Sequence, residues 1–158
     1  HYIRALSDEE FLGKAAPFFA HAGVAIDDER RAMLRRAAPF LKERCATLQE
    51  APDAAHFIML TRPITLKGKD AKPLQRPGAR DIVKVVRAAL AEAGDWSDPG
   101  GLNAILKDVA EARGVNFGEV GQPLRAALTG GLPSPSLGEV LCSLGRAESL
   151  ARLEDQAA

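Results

Sequence analysis

Aromatic residues are scarce in this chain of 158 residues: one Trp, one Tyr and six Phe, 5% of the total. A surface built mainly on base-stacking rings is therefore not the first expectation. Two cysteines, Cys45 and Cys142, exclude a disulfide scaffold and favour a reducing, cytoplasmic setting. Three histidines, at positions 1, 21 and 56, lack metal-ligand spacing. No apolar run approaches the roughly 20 residues that a membrane-spanning helix needs. The amino end turns acidic at Asp8 before a signal-peptide core can form. Net charge is absent too, with 21 basic and 21 acidic residues, which argues against an indiscriminate polyanion binder. What remains is 46% hydrophobic and 27% charged, the balance of a folded globular chain.

The charges are unevenly distributed. Leu60 to Arg87 carries eight basic residues against two acidic ones, whereas Ala88 to the end carries five against ten. Such asymmetry points weakly to an anion near the middle of the chain, against the plainer reading of a solvated loop and an amphipathic helix. The lysine-rich stretch Lys67-Gly68-Lys69-Asp70-Ala71-Lys72 reads as a solvated loop rather than a phosphate cradle.

The apolar spacing is helical nearly throughout. Ser7-Asp8-Glu9-Glu10 has capping-box spacing and predicts a short helix to Phe19 or His21, with Gly23 near its end. Asp27-Asp28-Glu29 offers a second start, and Met33, Leu34, Phe40 and Leu41 supply apolar anchors. Pro39 lacks an N–H, so two helical pieces meeting near Ala38-Pro39 are predicted there. From Glu50 to Gly78 prolines and glycines interrupt the pattern, which makes this stretch the candidate joint between two units. Periodicity then returns in Ile82, Val83, Val86 and Leu90, and in Leu102, Ile105, Leu106 and Val109. Asp98-Pro99 and Gly114 mark the ends of the latter helix. Val120, Leu124 and Leu128 form one further stripe, and Leu137, Val140, Leu141 and Leu144 another, followed by a last short helix to Leu153. The fold class is all-α: two small packed helical bundles, residues 1–78 and 79–158.

One segment is more specific than any of these. Asn116-Phe117-Gly118-Glu119-Val120-Gly121-Gln122-Pro123-Leu124-Arg125-Ala126-Ala127-Leu128-Thr129-Gly130 closely resembles a signature in the anticodon-binding region of bacterial glutamyl-tRNA synthetases. Ser134-Pro135-Ser136-Leu137, the helix pattern from Glu139 to Gly145 and the ending Leu150-Ala151-Arg152-Leu153 continue the resemblance. His1-Tyr2-Ile3-Arg4 is similar to the tract that follows that family's stem-contacting region. The family's His-Ile-Gly-His tetrad and Lys-(Leu/Ile)-Ser-Lys-Arg loop, which serve ATP, are absent. The chain thus resembles the carboxyl-terminal third of such an enzyme. The parent, by this resemblance, joins glutamate to its tRNA with ATP and magnesium in a catalytic domain. The fragment itself is expected to need no cofactor, to lack catalytic residues and metal ligands, and to hold the anticodon arm of glutamate tRNA as a monomer. A free-standing helical module that binds protein through its acidic tail is the alternative.

The resemblance also implies roles. Arg44 corresponds to an arginine that senses the third anticodon base, and Arg125 to a second anticodon-surface arginine. Ser134, Pro135 and Leu137 would supply a hydroxyl, a rigid turn and an apolar surface for the outer loop bases. Single-stranded bases are read by stacking and by hydrogen bonds to exposed edges, work that suits a planar guanidinium. Gln122 and Pro123 read as structural, the proline early in its helix and the amide tying the loop before it. The family usually has an aromatic residue after Leu137, where this chain has Gly138, so a stacking platform is lost.

Overall fold

The computed structural model describes residues 2–157; His1, part of the resemblance at the amino end, lies outside them. Eight α-helices and no strands are present among the described residues, as the apolar spacing predicts. They are α1 (Asp8–His21), α2 (Asp28–Arg44), α3 (Ala51–Ala54), α4 (Lys72–Gln75), α5 (Ala79–Ala91), α6 (Pro99–Arg113), α7 (Phe117–Thr129) and α8 (Leu137–Ala157).

Local chemistry sets most of these boundaries. The Ser7 hydroxyl accepts from the Glu10 N–H while the Glu10 carboxylate accepts from the Ser7 N–H, the reciprocal cap that starts α1. Asp27 and Asn116 cap α2 and α7 by accepting from the backbone N–H three residues on. Asp98 accepts from the Gly100 N–H, with Pro99 at the first helical position of α6. Gly114 and Gly130 close α6 and α7 at φ of 67° and 65°, a conformation that side chains with a Cβ resist.

Two proline expectations are corrected. α2 runs unbroken through Pro39 instead of dividing there. Pro39 and Arg35 are both exposed, so the Arg35 carbonyl that lacks a helical donor can be hydrated. Met33, Leu34, Ala37, Ala38 and Leu41 meanwhile bury the opposite face and hold the helix together. Pro123 likewise lies inside α7, six residues after its start, and its ring is buried.

α8 organises the packing, touching α2, α5, α6 and α7. Gly145, at φ 81° and ψ 171°, kinks α8 into two segments and matches the predicted boundary before the last helix. Arg36 of α2 donates from Nε to the Ser143 carbonyl (3.1 Å) and from Nη2 to the Leu144 carbonyl (3.0 Å). It thereby satisfies carbonyls that the kink deprives of helical donors. One contiguous apolar cluster joins the two ends of the chain: Phe11 and Leu41 belong to it, as do Leu90, Leu124 and Leu141.

Arg152 links the irregular middle to this core. Its side chain is fully covered, and its Nη1 donates to the Phe57 carbonyl (2.8 Å) and the Leu128 carbonyl (2.7 Å). Its Nε donates to Glu148 at 2.7 Å, so the charge is paired inside the protein. Burial is the chief influence on this guanidinium and lowers its pKa, the Glu148 carboxylate opposing it.

Candidate anticodon-reading surface

Helix α2 ends at Arg44, a position where the helix dipole favours a cation. Its guanidinium is half exposed, and Nη2 lies 3.7 Å from Glu139 Oε1 on the first turn of α8. Arg125 projects from α7 toward the α7–α8 connection. Its Nη1 donates to Ser134 Oγ at 2.6 Å and to the Pro135 carbonyl at 3.2 Å. Ser134 Oγ donates onward to the Pro135 carbonyl at 3.2 Å. Burial lowers the pKa of Arg125 most, and the like charge of Arg44 adds to it.

The fold therefore gathers Arg44, Arg125 and Ser134, which are 90 positions apart at their extremes, onto one face at the end of α2 and the start of α8. The other two sequence-derived positions are different. Leu137 is 4% exposed and points into the core, and Pro135 is also buried. The apolar surface anticipated from Leu137 is thus turned inward, because that side chain begins the buried stripe of α8. Pro135 reaches the site through its carbonyl, which Arg125 and Ser134 hold.

Gly138 has a steric explanation. A Cβ there would sit 2.3 Å from the Pro99 carbonyl oxygen and 2.8 Å from Asn103 Nδ2. The Gly138 N–H donates instead to Asn103 Oδ1 at 3.0 Å, drawing the starts of α6 and α8 together. An aromatic side chain at this position has no room beside α6 as it stands.

Two residues escaped the sequence reading. Asn103 forms its bond across 35 residues, and nothing local announces it. Glu139 was legible: Ser136 and Glu139 have capping-box spacing, and Glu139 Oε1 accepts from the Ser136 N–H at 3.1 Å. Gln122, anticipated as a tie for the loop before its own helix, accepts instead from Arg76 Nη1 of the α4–α5 connection.

The positive middle of the chain also finds partners within the protein. Arg62 pairs with Asp155 at 2.8 Å and Arg87 with Glu154 at 2.8 Å. Arg80 donates to the Gln156 carbonyl at 2.6 Å. Two of the eight basic residues of this segment, Arg62 and Arg87, thus meet the acidic end of α8. Lys67, Lys69 and Lys72 stand exposed, as expected of a solvated stretch, but Gly68–Ala71 forms a 3-10 turn running into α4 instead of a loop. Cys45 and Cys142 are buried free thiols. No group of three or more potential ligands for a metal gathers among the described residues, and no helix there is long and apolar enough to cross a membrane.

Residues 10–157 match the family described as "Anticodon binding domain", and the chain belongs to that family. It is 40% identical over 158 residues to glutamate–tRNA ligase 2 of Maricaulis maris, covering 99% of this chain and 33% of the relative. It is 42% identical over 163 residues to the glutamate–tRNA ligase of a Bradyrhizobium species, covering 99% and 34%. The chain thus spans about a third of the length of these curated relatives. A glutamate tRNA ligase from Elizabethkingia meningosepticum, solved in complex with its amino acid, shares the fold. Its TM-score is 0.79 at 22% identity, with 99% of this chain and 30% of that one covered.

Proposed function

We propose that this chain recognises the anticodon loop of glutamate tRNA on behalf of a glutamate–tRNA ligase, whose catalytic domain supplies the ATP- and magnesium-dependent chemistry. The carrying observation is the convergence of Arg44, Arg125 and Ser134 at one surface within the anticodon-binding domain family. In this reading Arg44 reads the third anticodon base. Its exposed fork can donate twice to cytosine, at N3 and O2, whereas guanine's Watson–Crick edge opposes the fork with donors of its own. Arg125 stiffens the Ser134–Ser136 turn and keeps a positive charge beside it. The fragment carries no cofactor of its own and works as a monomer, in the cytoplasm, beside the catalytic domain of the same parent chain.

The alternative, a protein-binding module using an acidic tail, gains nothing from the geometry. Glu148, Glu154 and Asp155 are engaged by Arg152, Arg87 and Arg62 of the same chain. The test has two arms. The purified chain should support no ATP–pyrophosphate exchange with glutamate and tRNA present; robust exchange would refute the fragment reading. Its binding to a glutamate anticodon stem–loop should weaken with salt, at a log–log slope of about −0.7 to −0.9 per phosphate neutralised. Salt-indifferent affinity would favour the protein-binding alternative.

A further inference from the structure

Among the described residues, Glu139 is the carboxylate that touches both Arg44 and the turn before α8. Its Oε1 accepts from the Ser136 N–H at 3.1 Å, and the same oxygen lies 3.7 Å from Arg44 Nη2. The Ser136 hydroxyl returns the contact by accepting from the Glu139 N–H at 3.4 Å. The turn held in this way also carries Ser134 and the Pro135 carbonyl, both bound by Arg125. Arg44 and Arg125 are like charges that act on each other, and no other acidic side chain forms an ion pair with either among the described residues. Without a countercharge Arg44 would swing away from Arg125 into solvent, where its donors point in no fixed direction.

We propose that Glu139 is a positioning residue for base discrimination: it aims the Arg44 guanidinium while fixing the turn that Arg125 grips. This rests on the reading of Arg44 given above. The long 3.7 Å separation suits the role, since the pair restrains the guanidinium without saturating its donors. Arg44 keeps its remaining N–H groups for a base, and the carboxylate limits where they point. Glu139 also sets a negative charge beside an RNA-facing surface. It therefore trades overall attraction for phosphates against selectivity.

Glu139→Gln separates these tasks. The amide oxygen can still accept from the Ser136 N–H, because glutamine serves at this capping position as glutamate does. The charge that aims Arg44 is gone. Two anticodon stem–loops differing only in the third base, cytosine or guanine, are titrated against the wild-type chain, Glu139→Gln, Arg44→Gln and the double variant. Glu139→Gln should keep the thermal midpoint, bind the cytosine stem–loop no more weakly, and narrow the cytosine-to-guanine ratio by about two- to fivefold, the scale of an exposed ion pair. The double variant should show the ratio of Arg44→Gln alone.

A merely structural Glu139 would lower the thermal midpoint and weaken both stem–loops together, which overturns the proposal. So does an unchanged ratio in Glu139→Gln while Arg44→Gln narrows it; the Arg44 reading then stands. An unchanged ratio in Arg44→Gln itself rejects third-base reading by Arg44, and the proposal with it.

Discussion

Replacing Gly138 with alanine sets two opposed effects of known size against each other. In a helix, alanine is normally favoured over glycine by about 0.5–1 kcal/mol, because glycine loses more backbone freedom on folding. Here the new methyl would meet the Pro99 carbonyl oxygen at 2.3 Å, closer than any relaxed contact. The obstacle is backbone at the first turn of α6, which cannot rotate away like a flexible side chain. Relief requires the starts of α6 and α8 to part, stretching the 3.0 Å bond from the Gly138 N–H to Asn103 Oδ1. Overpacking of this kind costs about 1–3 kcal/mol, and a lost hydrogen bond about 0.5–1.5 kcal/mol. Set against the helix gain, the net is a destabilisation of about 0.5–4 kcal/mol. For a domain of this size that lowers the thermal midpoint by about 1–16 °C. Circular dichroism melts and urea titrations of the two proteins measure it. Gly138→Ala with unchanged or raised stability would refute the close approach of α6 and α8. Gly138→Phe should be more damaging still, so an aromatic platform cannot simply be restored at this position.

Further outcomes follow from the buried groups. Arg152→Met should destabilise by about 3–5 kcal/mol in denaturant titration, since it strips Glu148 of its partner and the Phe57 and Leu128 carbonyls of their donor. Arg62→Gln, by contrast, removes an exposed pair with Asp155 and should cost under about 1 kcal/mol in the same assay. Burial, with Asp98, Asp95 and Glu139 nearby, pushes the Cys142 thiol up to about 11. A raised thiol favours folding below its ordinary pKa, near 9.0, and that contribution is lost as pH rises from there through about 11. The wild-type chain should therefore lose more stability than Cys142→Ala across that interval in pH-dependent melts; parallel curves would contradict the shift.

The elements with local chemistry were readable from residues alone. Ser7 with Glu10, Asp98 with Pro99 and the closing glycines 114 and 130 specify boundaries within a few positions, and the apolar stripes choose the buried faces. Pro39 misleads because the cost of a missing N–H depends on whether the orphaned carbonyl meets water, which only the tertiary arrangement decides. The turns from Leu48 to Gln75 depend on distant partners, above all Arg152, whose donors reach the Phe57 carbonyl across 95 residues. At the candidate site, the types and spacing of Arg44, Arg125 and Ser134 were legible, but the direction of Leu137 was not. It lies where the expected binding turn and a buried helix stripe share one residue, and burial prevails.

Binding of the wild-type chain to two stem–loops, one with the glutamate anticodon and one with its three anticodon bases replaced, tests the central claim most directly. At physiological salt the account predicts preference for the glutamate anticodon, lost in Arg44→Gln and also reduced in Arg44→Lys, which keeps the charge but not the planar fork. Equal affinity of the wild-type chain for the two stem–loops would contradict it.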